Sequence, residues 1–415
     1  MKIRSITYFC DPGWPLNKAV LERAGAFISP ARKAYEEVGY EVQTARLATI
    51  PFPLLVPAHL LPEIPVWAHT MEELCNHIGY EYLSVGPALP DIPQSYPIIP
   101  EILAATHNVF TAGFLTTSCG EVSLPAIHAC ASIIDRAGKL SPGGFANLRF
   151  AALANVPPGS PFFPSGYHDN GSNNGQPPTF ALATEAADLA VEAFTQAGSL
   201  ADARRKLIEK IEANARKLTT IAHRLETAMG IAFGGIDFSL APFPETNRSI
   251  GTAFELLGVP MLGKHGSLAA ATILAEAIDR ADFPHTGFCG MLYPVLEDAT
   301  LATRTAQGYL SIKDLLLYST VCGTGLDTLP IPGDTTTGQI SALLLDLAVL
   351  SQRLNKPLTA RLMPIPGKSA DDLTNFDFPY FVNSRVLPLD ALPLSGFLAG
   401  EETFPLAGRG EIRNP

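Results

Sequence analysis

Between Val321 and Asp334 the chain runs Val-Cys-Gly-Thr-Gly-Leu-Asp-Thr-Leu-Pro-Ile-Pro-Gly-Asp, placing a thiol and two carboxylates among glycines and prolines. Three other polar groups interrupt an apolar background: Asp237 in Gly234-Gly235-Ile236-Asp237, Tyr167-His168-Asp169 in a long loop, and Arg361 with Lys368 around a final apolar segment. Asp237, Asp327 and Asp334 are oxygen ligands of the kind a hard divalent cation (Ca, Mg or Mn) takes, with His168 as acid or base. Arg149 and Arg361 offer planar forks for a substrate carboxylate, and Lys368 adds a point charge. A carboxylate such as Asp237 in a buried strand needs a cation or several donors, because stranding it costs on the order of several kcal/mol. Asp334-Thr335-Thr336-Thr337 also reads as an N-terminal helix cap, and that reading stands level with a metal site. Cys322 is a candidate nucleophile, since a thiol beside a helix N-terminus can lose its proton more easily; neutral packing is the competing reading.

These groups need elements to hold them. Met1 to Phe9 reads as a first strand, Leu16 to Val38 as a helix ending at Gly39, and Tyr40 to Leu47 as a second strand, which opens a βα alternation. Residues 51–100 are Pro-rich, with a short helix expected around Met71 to Gly79. Strands are expected at Asn108–Leu115 and Phe150–Val156, with a helix from Ser123 to Ala137 between them. Asn155 to Thr179 has no periodicity and reads as a long functional loop. Helices follow over Thr179–Ala197 and Ser199–Met229, then a buried strand over Ile231–Pro242 carrying Asp237, a helix over Ser267–Ala281, a strand and turn from Phe288 to Asp298, and a helix to Ala306. Residues 321–334 read as a polar turn leaving the core, Lys356 to Lys368 as a last core strand, and the chain beyond Asp371 as an irregular Pro-rich tail. If the strands are parallel, the loops at their carboxyl ends share one rim, and the polar groups converge there.

With 415 residues, 47% hydrophobic and 17% charged, the chain can bury a large core. A net charge of −11 argues against a nucleic-acid backbone as partner. The amino-terminal segment is too short and polar for a signal peptide, and no uncharged apolar run reaches the ~18 residues of a membrane span. A soluble, cytoplasmic protein is expected. Its six cysteines include no C-x-x-C pair, which fits reduced thiols. Gly263-Lys264-His265-Gly266-Ser267 could offer amides and a Lys to an anion but does not match the Walker pattern, and no G-x-G-x-x-G occurs, so no nucleotide cofactor is implied. A small-molecule ligand is the expected partner, with a homo-oligomer left open.

The stretches Asn147-Leu148-Arg149-Phe150-Ala151-Ala152, Pro161-Phe162-Phe163-Pro164 with Tyr167-His168, Gly234-Gly235-Ile236-Asp237, Cys322-Gly323-Thr324-Gly325-Leu326-Asp327-Thr328, Pro332-Gly333-Asp334 and Thr359 to Lys368 resemble the family known as domain of unknown function 711, or uncharacterised protein family 0210. The resemblance spans most of the chain and brings no agreed activity. It implies a pyruvate formate-lyase-like fold: one α/β barrel over 1–415 with a central finger loop, helices outside, and 371–415 packed on it as an irregular tail. It does not imply the radical reaction, because in place of the Arg-Val-x-Gly-Tyr loop the chain has Leu394-Ser395-Gly396-Phe397; Cys322 is the candidate finger-loop thiol. The expectation is a hydrolase or lyase acting on a small polar or carboxylated metabolite. The alternative is a non-catalytic metabolite sensor or assembly protein, since fold alone does not choose between them.

Overall fold

Alternate residues of the sheet strands differ in kind, and that period of two sets the architecture. In the computed structural model, which describes residues 1–169 and 176–409, the strands are β1 (Lys2–Cys10), β2 (Ala45–Thr49), β3 (Tyr82–Ala88), β4 (Val109–Phe114), β5 (Val122–Ser123), β6 (Phe150–Ala154), β7 (Thr179–Glu185), β8 (Ala232–Asp237), β9 (Gly325–Pro332), β10 (Leu358–Ile365) and β11 (Thr403–Phe404). Ile6, Tyr8, Leu47, Leu83, Phe180, Leu182, Leu358 and Ala360 belong to the main core shared with the helices. Their neighbours Ser5, Thr7, Ala48, Ser84, Ala112, Ala151, Ala183 and Thr359 point the other way and are small or hydroxylated. That second face is buried too, so it must be covered from within.

Nine strands form one mixed sheet in the order β8-β7-β1-β2-β3-β4-β6-β10-β9; β5 and β11 pair separately. β1, β2, β3, β4 and β6 are parallel, while β7 and β10 run antiparallel to β1 and β6 and are themselves parallel to β8 and β9. The two outermost strands are bridged by the segment 284–295. Ile236 N–H donates to Pro284 O at 2.8 Å near one end, and Val295 N–H donates to Asp327 O at 3.2 Å at the other. The helices, among them Lys18–Glu36, Leu124–Gly138 and Thr337–Leu354, present buried apolar stripes to the main core.

The second face holds the long loop. Ser5 Oγ and Thr7 Oγ1 donate to Pro161 O at 3.2 and 3.1 Å, Ser84 Oγ donates to Gly166 O at 2.6 Å, and His168 N–H donates to Thr49 O at 2.8 Å. Phe162 packs with Ala112, Ala151 and Ala183, and Phe163 with Phe9, Ala48 and Phe110. Small residues leave room for the loop, and hydroxyls satisfy its backbone, which could not otherwise be buried.

The βα alternation, the strand and helix around Met1–Val38, the helix over 200–229 and the strands at β4, β6, β8 and β10 follow the sequence reading. Several segments differ. Thr179–Glu185 is strand β7 and the helix begins only at Ala187, because pairing with β1 and β8 outweighs the helix propensity of an Ala-rich run. Residues 325–332 are no turn but the fully buried strand β9, whose glycine and prolines suit a backbone crowded against β10. The second strand starts at Ala45 rather than Tyr40, and β3 lies in the Pro-rich stretch. Residues 170–175 of the long loop and 410–415 of the tail lie outside the described residues. Within the tail, Phe376, Phe378 and Phe381 pack around Phe145. No helix among the described residues is long and apolar enough to cross a membrane.

Candidate active site

Two interruptions of strand register aim charge at one place. β1 opposes β7 with Ile3 on Thr184 and Ser5 on Ala183, so Arg4 is an extra residue and turns onto the second face. β10 opposes β9 with Ala360 on Leu326 and Leu362 on Leu329, so Asp327 and Thr328 together face Arg361, and Thr328 takes a φ of 37°. Bulges of this kind redirect side chains. Both lie beside a cavity of about 100 Å³ lined by Arg4, Arg46, Glu297, Asp327, Thr359 and Arg361, with Tyr82, Phe110 and the loop residues Phe162 and Phe163 as its apolar walls. Arg4, Arg46, Tyr82 and Phe110 all come from the first residues of their strands. The charged cavity therefore sits toward the amino ends of the parallel strands, not on the carboxyl-end rim that convergence of loops suggests.

The arginines differ in what they meet. Arg361 Nε donates to Asp327 Oδ1 at 2.5 Å and its Nη2 to Glu297 Oε1 at 3.0 Å. Arg4 joins Glu297 Oε2 at 2.9 Å to Glu185 Oε2 at 3.2 Å, and Arg248 closes on Glu185 from behind. Arg46, only 7% exposed, donates through Nε to Thr44 Oγ1 at 2.9 Å and lies over the rings of Phe163 and Tyr82 at 5.3 and 5.8 Å. No carboxylate among the described residues lies within 4.0 Å of it. Burial, then repulsion from Arg4 and Arg361 with only partial relief from Tyr82 and Glu297, pulls Arg46 down to about 9, so it is still a cation at neutral pH. Aromatic faces return about 1–2 kcal/mol to such a cation, less than its desolvation costs. The cavity lining holds three arginines against two carboxylates, one net positive charge.

The chain matches the family described as "Uncharacterised ACR (DUF711)" over residues 1–382. It belongs to that family. It is 31% identical over 395 residues to the UPF0210 protein of Pyrobaculum islandicum, covering 90% of this chain and 84% of the relative. It is 28% identical over 359 residues to the UPF0210 protein of Acetivibrio thermocellus, covering 82% and 78%.

Of the residues singled out from the sequence of this DUF711 chain, Asp327 and Arg361 meet in the cavity. The others lie elsewhere. Asp237 accepts from Phe288 N–H at 2.7 Å, Cys289 N–H at 2.9 Å and Ser239 Oγ at 2.6 Å, so it fastens the segment 284–295 to β8. Burial raises it to about 6 despite those donors. Gly287 passes so close, with φ 65°, that an added Cβ would stand 2.2 Å from Asp237 Oδ2. His168 bonds to Thr49 O and Gln176 O near the carboxyl end of β2, three residues and about 10 Å along the strand from Arg46, and burial lowers its pKa. Cys322 is buried, accepts from Met291 N–H and donates to Met291 O, both at 2.9 Å, and burial pushes its thiol up. It precedes β9 and is not in the loop on the second face, whose tip is Phe162-Phe163-Pro164-Ser165.

Arg149 donates to Leu103 O at 2.7 Å, Val109 O at 3.2 Å and Thr106 Oγ1 at 3.1 Å, clamping backbone. Asp334 is exposed beyond β9, and the cap of the helix 337–354 is Thr336, boxed with Gln339. Lys368 lies past the end of β10 with its carbonyl on Gly333 N–H, and Lys264 lies over Tyr309. Asp237, Asp327 and Asp334 thus do not converge, and among the described residues no three His, Cys, Asp or Glu side chains gather as they would around a metal ion. Sequence reading missed Arg46, Arg4 and Glu297. The available signal was an arginine inside each of the first two expected strands.

Proposed function

We propose that the cavity receives a small carboxylated metabolite and that the protein acts on it as an acid–base enzyme of the hydrolase or lyase type. The observation that carries this is Arg46, a buried cation at the cavity wall with no carboxylate partner. Its planar fork suits a carboxylate. A cavity of about 100 Å³ suits only a small ligand, since one of about 150 Å³ takes benzene. Asp327 is the carboxylate placed to move a proton: Oδ1 is occupied by Arg361 and Thr328 N–H, while Oδ2 has no hydrogen-bond partner among the described residues. On this proposal the bridge over 284–295 closes the sheet into a pyruvate formate-lyase-like barrel, with residues 156–168 as its inner loop. That loop carries no cysteine, which favours polar over thiyl chemistry.

Titration calorimetry with propionate is the test of the anion site, with inorganic phosphate as a second titrant. Propionate should bind the wild type and lose at least about tenfold in affinity to Arg46→Met; equal binding by both, or binding of phosphate alone, would sink the carboxylate reading. Catalysis is tested by proton NMR in D2O with a bound acid: exchange or conversion in wild type, lost in Asp327→Asn with binding kept. The cavity lining contains no His or Cys, and Asp327 is held by an arginine, which favours a second reading as a metabolite-binding protein without turnover. Binding without exchange or conversion selects that reading.

A further inference from the structure

Two polar atoms at the cavity beyond the arginines lack partners among the described residues. One is Asp327 Oδ2; the other is Thr359 Oγ1, fully buried with no hydrogen bond. Both residues line the cavity, Thr359 two residues before Arg361 on the same face of β10 and Asp327 on the adjoining bulge of β9. A buried hydroxyl without a partner is costly unless something satisfies it, and Asp327 Oδ2, which is not sealed from solvent, is open to a ligand's donor. What satisfies a carboxylate oxygen is a donor; what satisfies a threonine hydroxyl is either a donor or an acceptor. A hydroxyl serves both at once.

Charge decides between a hydroxyl and an ammonium. The cavity lining carries one net positive charge, and behind it the buried Glu185 and Arg248 cancel, with the exposed Glu245 3.7 Å from Arg248. A monoanion neutralises that charge; a zwitterion leaves it in place. We infer that the cavity is built for a short hydroxy carboxylate, with Arg46 taking the carboxylate and Asp327 with Thr359 taking the hydroxyl. This rests on the carboxylate reading of the cavity above and adds the second functional group. In a cavity of about 100 Å³ the hydroxyl and carboxylate must stand close together on one short carbon frame.

The test compares acids of nearly equal size by titration calorimetry: lactate, propionate and alanine. Wild type should bind lactate about tenfold more tightly than propionate, the factor one satisfied hydrogen bond gives, and more tightly than alanine. Thr359→Val, which keeps the shape and removes the hydroxyl, should bring lactate to within about threefold of propionate while propionate itself is unchanged; Thr359→Ser should restore the preference. Equal binding of lactate and propionate by wild type would overturn this inference and leave the anion site standing. Tighter binding of alanine would overturn the charge argument. A lactate preference that survives Thr359→Val would remove Thr359 from the subsite and overturn the assignment, and no binding of any of the three would take down this inference and the anion site together.

Discussion

Asp237 and Asp327 are both carboxylates buried at edge strands of one sheet, and they do opposite work. Asp237, fully buried, spends its oxygens on two backbone N–H groups and Ser239, all from its own neighbourhood, and ties the segment 284–295 to β8. Asp327, turned inward by a bulge, gives one oxygen to Arg361 and leaves the other at a cavity beside an uncompensated arginine. Both are carboxylates in the buried part of the sheet. The partners separate them: a carboxylate met by backbone donors is a fastener, whereas one sharing a cavity with unpaired polar atoms is placed for a ligand.

The largest effect should come from removing the cation that holds the second region together. Arg361→Met leaves Asp327 buried without its cation and Glu297 held by Arg4 alone, and breaking a buried pair from one side costs about 3–5 kcal/mol. Urea unfolding should show a loss of that size at pH 7. A loss below about 1 kcal/mol would mean that the network is loose, and the contrast with the tightly fastened Asp237 would lose its electrostatic basis.

The second comparison uses pH. Asp237 has a folded-state pKa raised from 3.8 to about 6, so the folded protein holds this proton more tightly than the unfolded chain does. Its contribution to stability is therefore full below about pH 4 and is lost as pH rises through 6, on the order of 2–3 kcal/mol for a shift of about two units. Asp237→Asn cannot ionise, so the stability of the variant relative to wild type should move in the variant's favour by that amount between pH 4 and pH 7. Parallel urea titrations measure it. A flat difference would show that the donors around Asp237 fully offset its burial.

How far the sequence reveals these two regions follows from what each depends on. Asp237 stands out because a charge within Phe-Gly-Gly-Ile-Asp-Phe has no local reason, and Arg361 with Asp327 stands out for the same reason in apolar runs. Their partners are set by strand order, which local pattern does not carry. β9 is hidden because a strand buried on both faces lacks alternation and its Gly325, Pro330 and Pro332 imitate a turn. β7 is hidden by alanines, chosen not for a helix but for the room they leave to Phe162 and Phe163. Ser5, Thr7 and Ser84 look like ordinary strand polarity until the loop they hold is placed. Arg46 is visible as an arginine in a strand, yet its significance lies in a missing partner, which only the assembled sheet can display.

The smallest stability change, and the most telling, belongs to Arg46. Replacing it with Met removes the cation lying over Phe163 and Tyr82 and the bond to Thr44, worth together about 1–3 kcal/mol. It also removes a desolvated charge repelled by Arg4 and Arg361 and puts a flexible apolar chain of fitting length between the same rings. The terms oppose, so the net change in unfolding free energy should stay within about 1 kcal/mol of zero, in contrast to Arg361→Met in the same cavity. Urea unfolding of the two variants side by side checks it. Comparable losses would mean that Arg46 is a structural ion like Arg361. A near-neutral Arg46→Met means that this cation is kept at a cost that folding alone does not repay, as expected for a group held for a ligand.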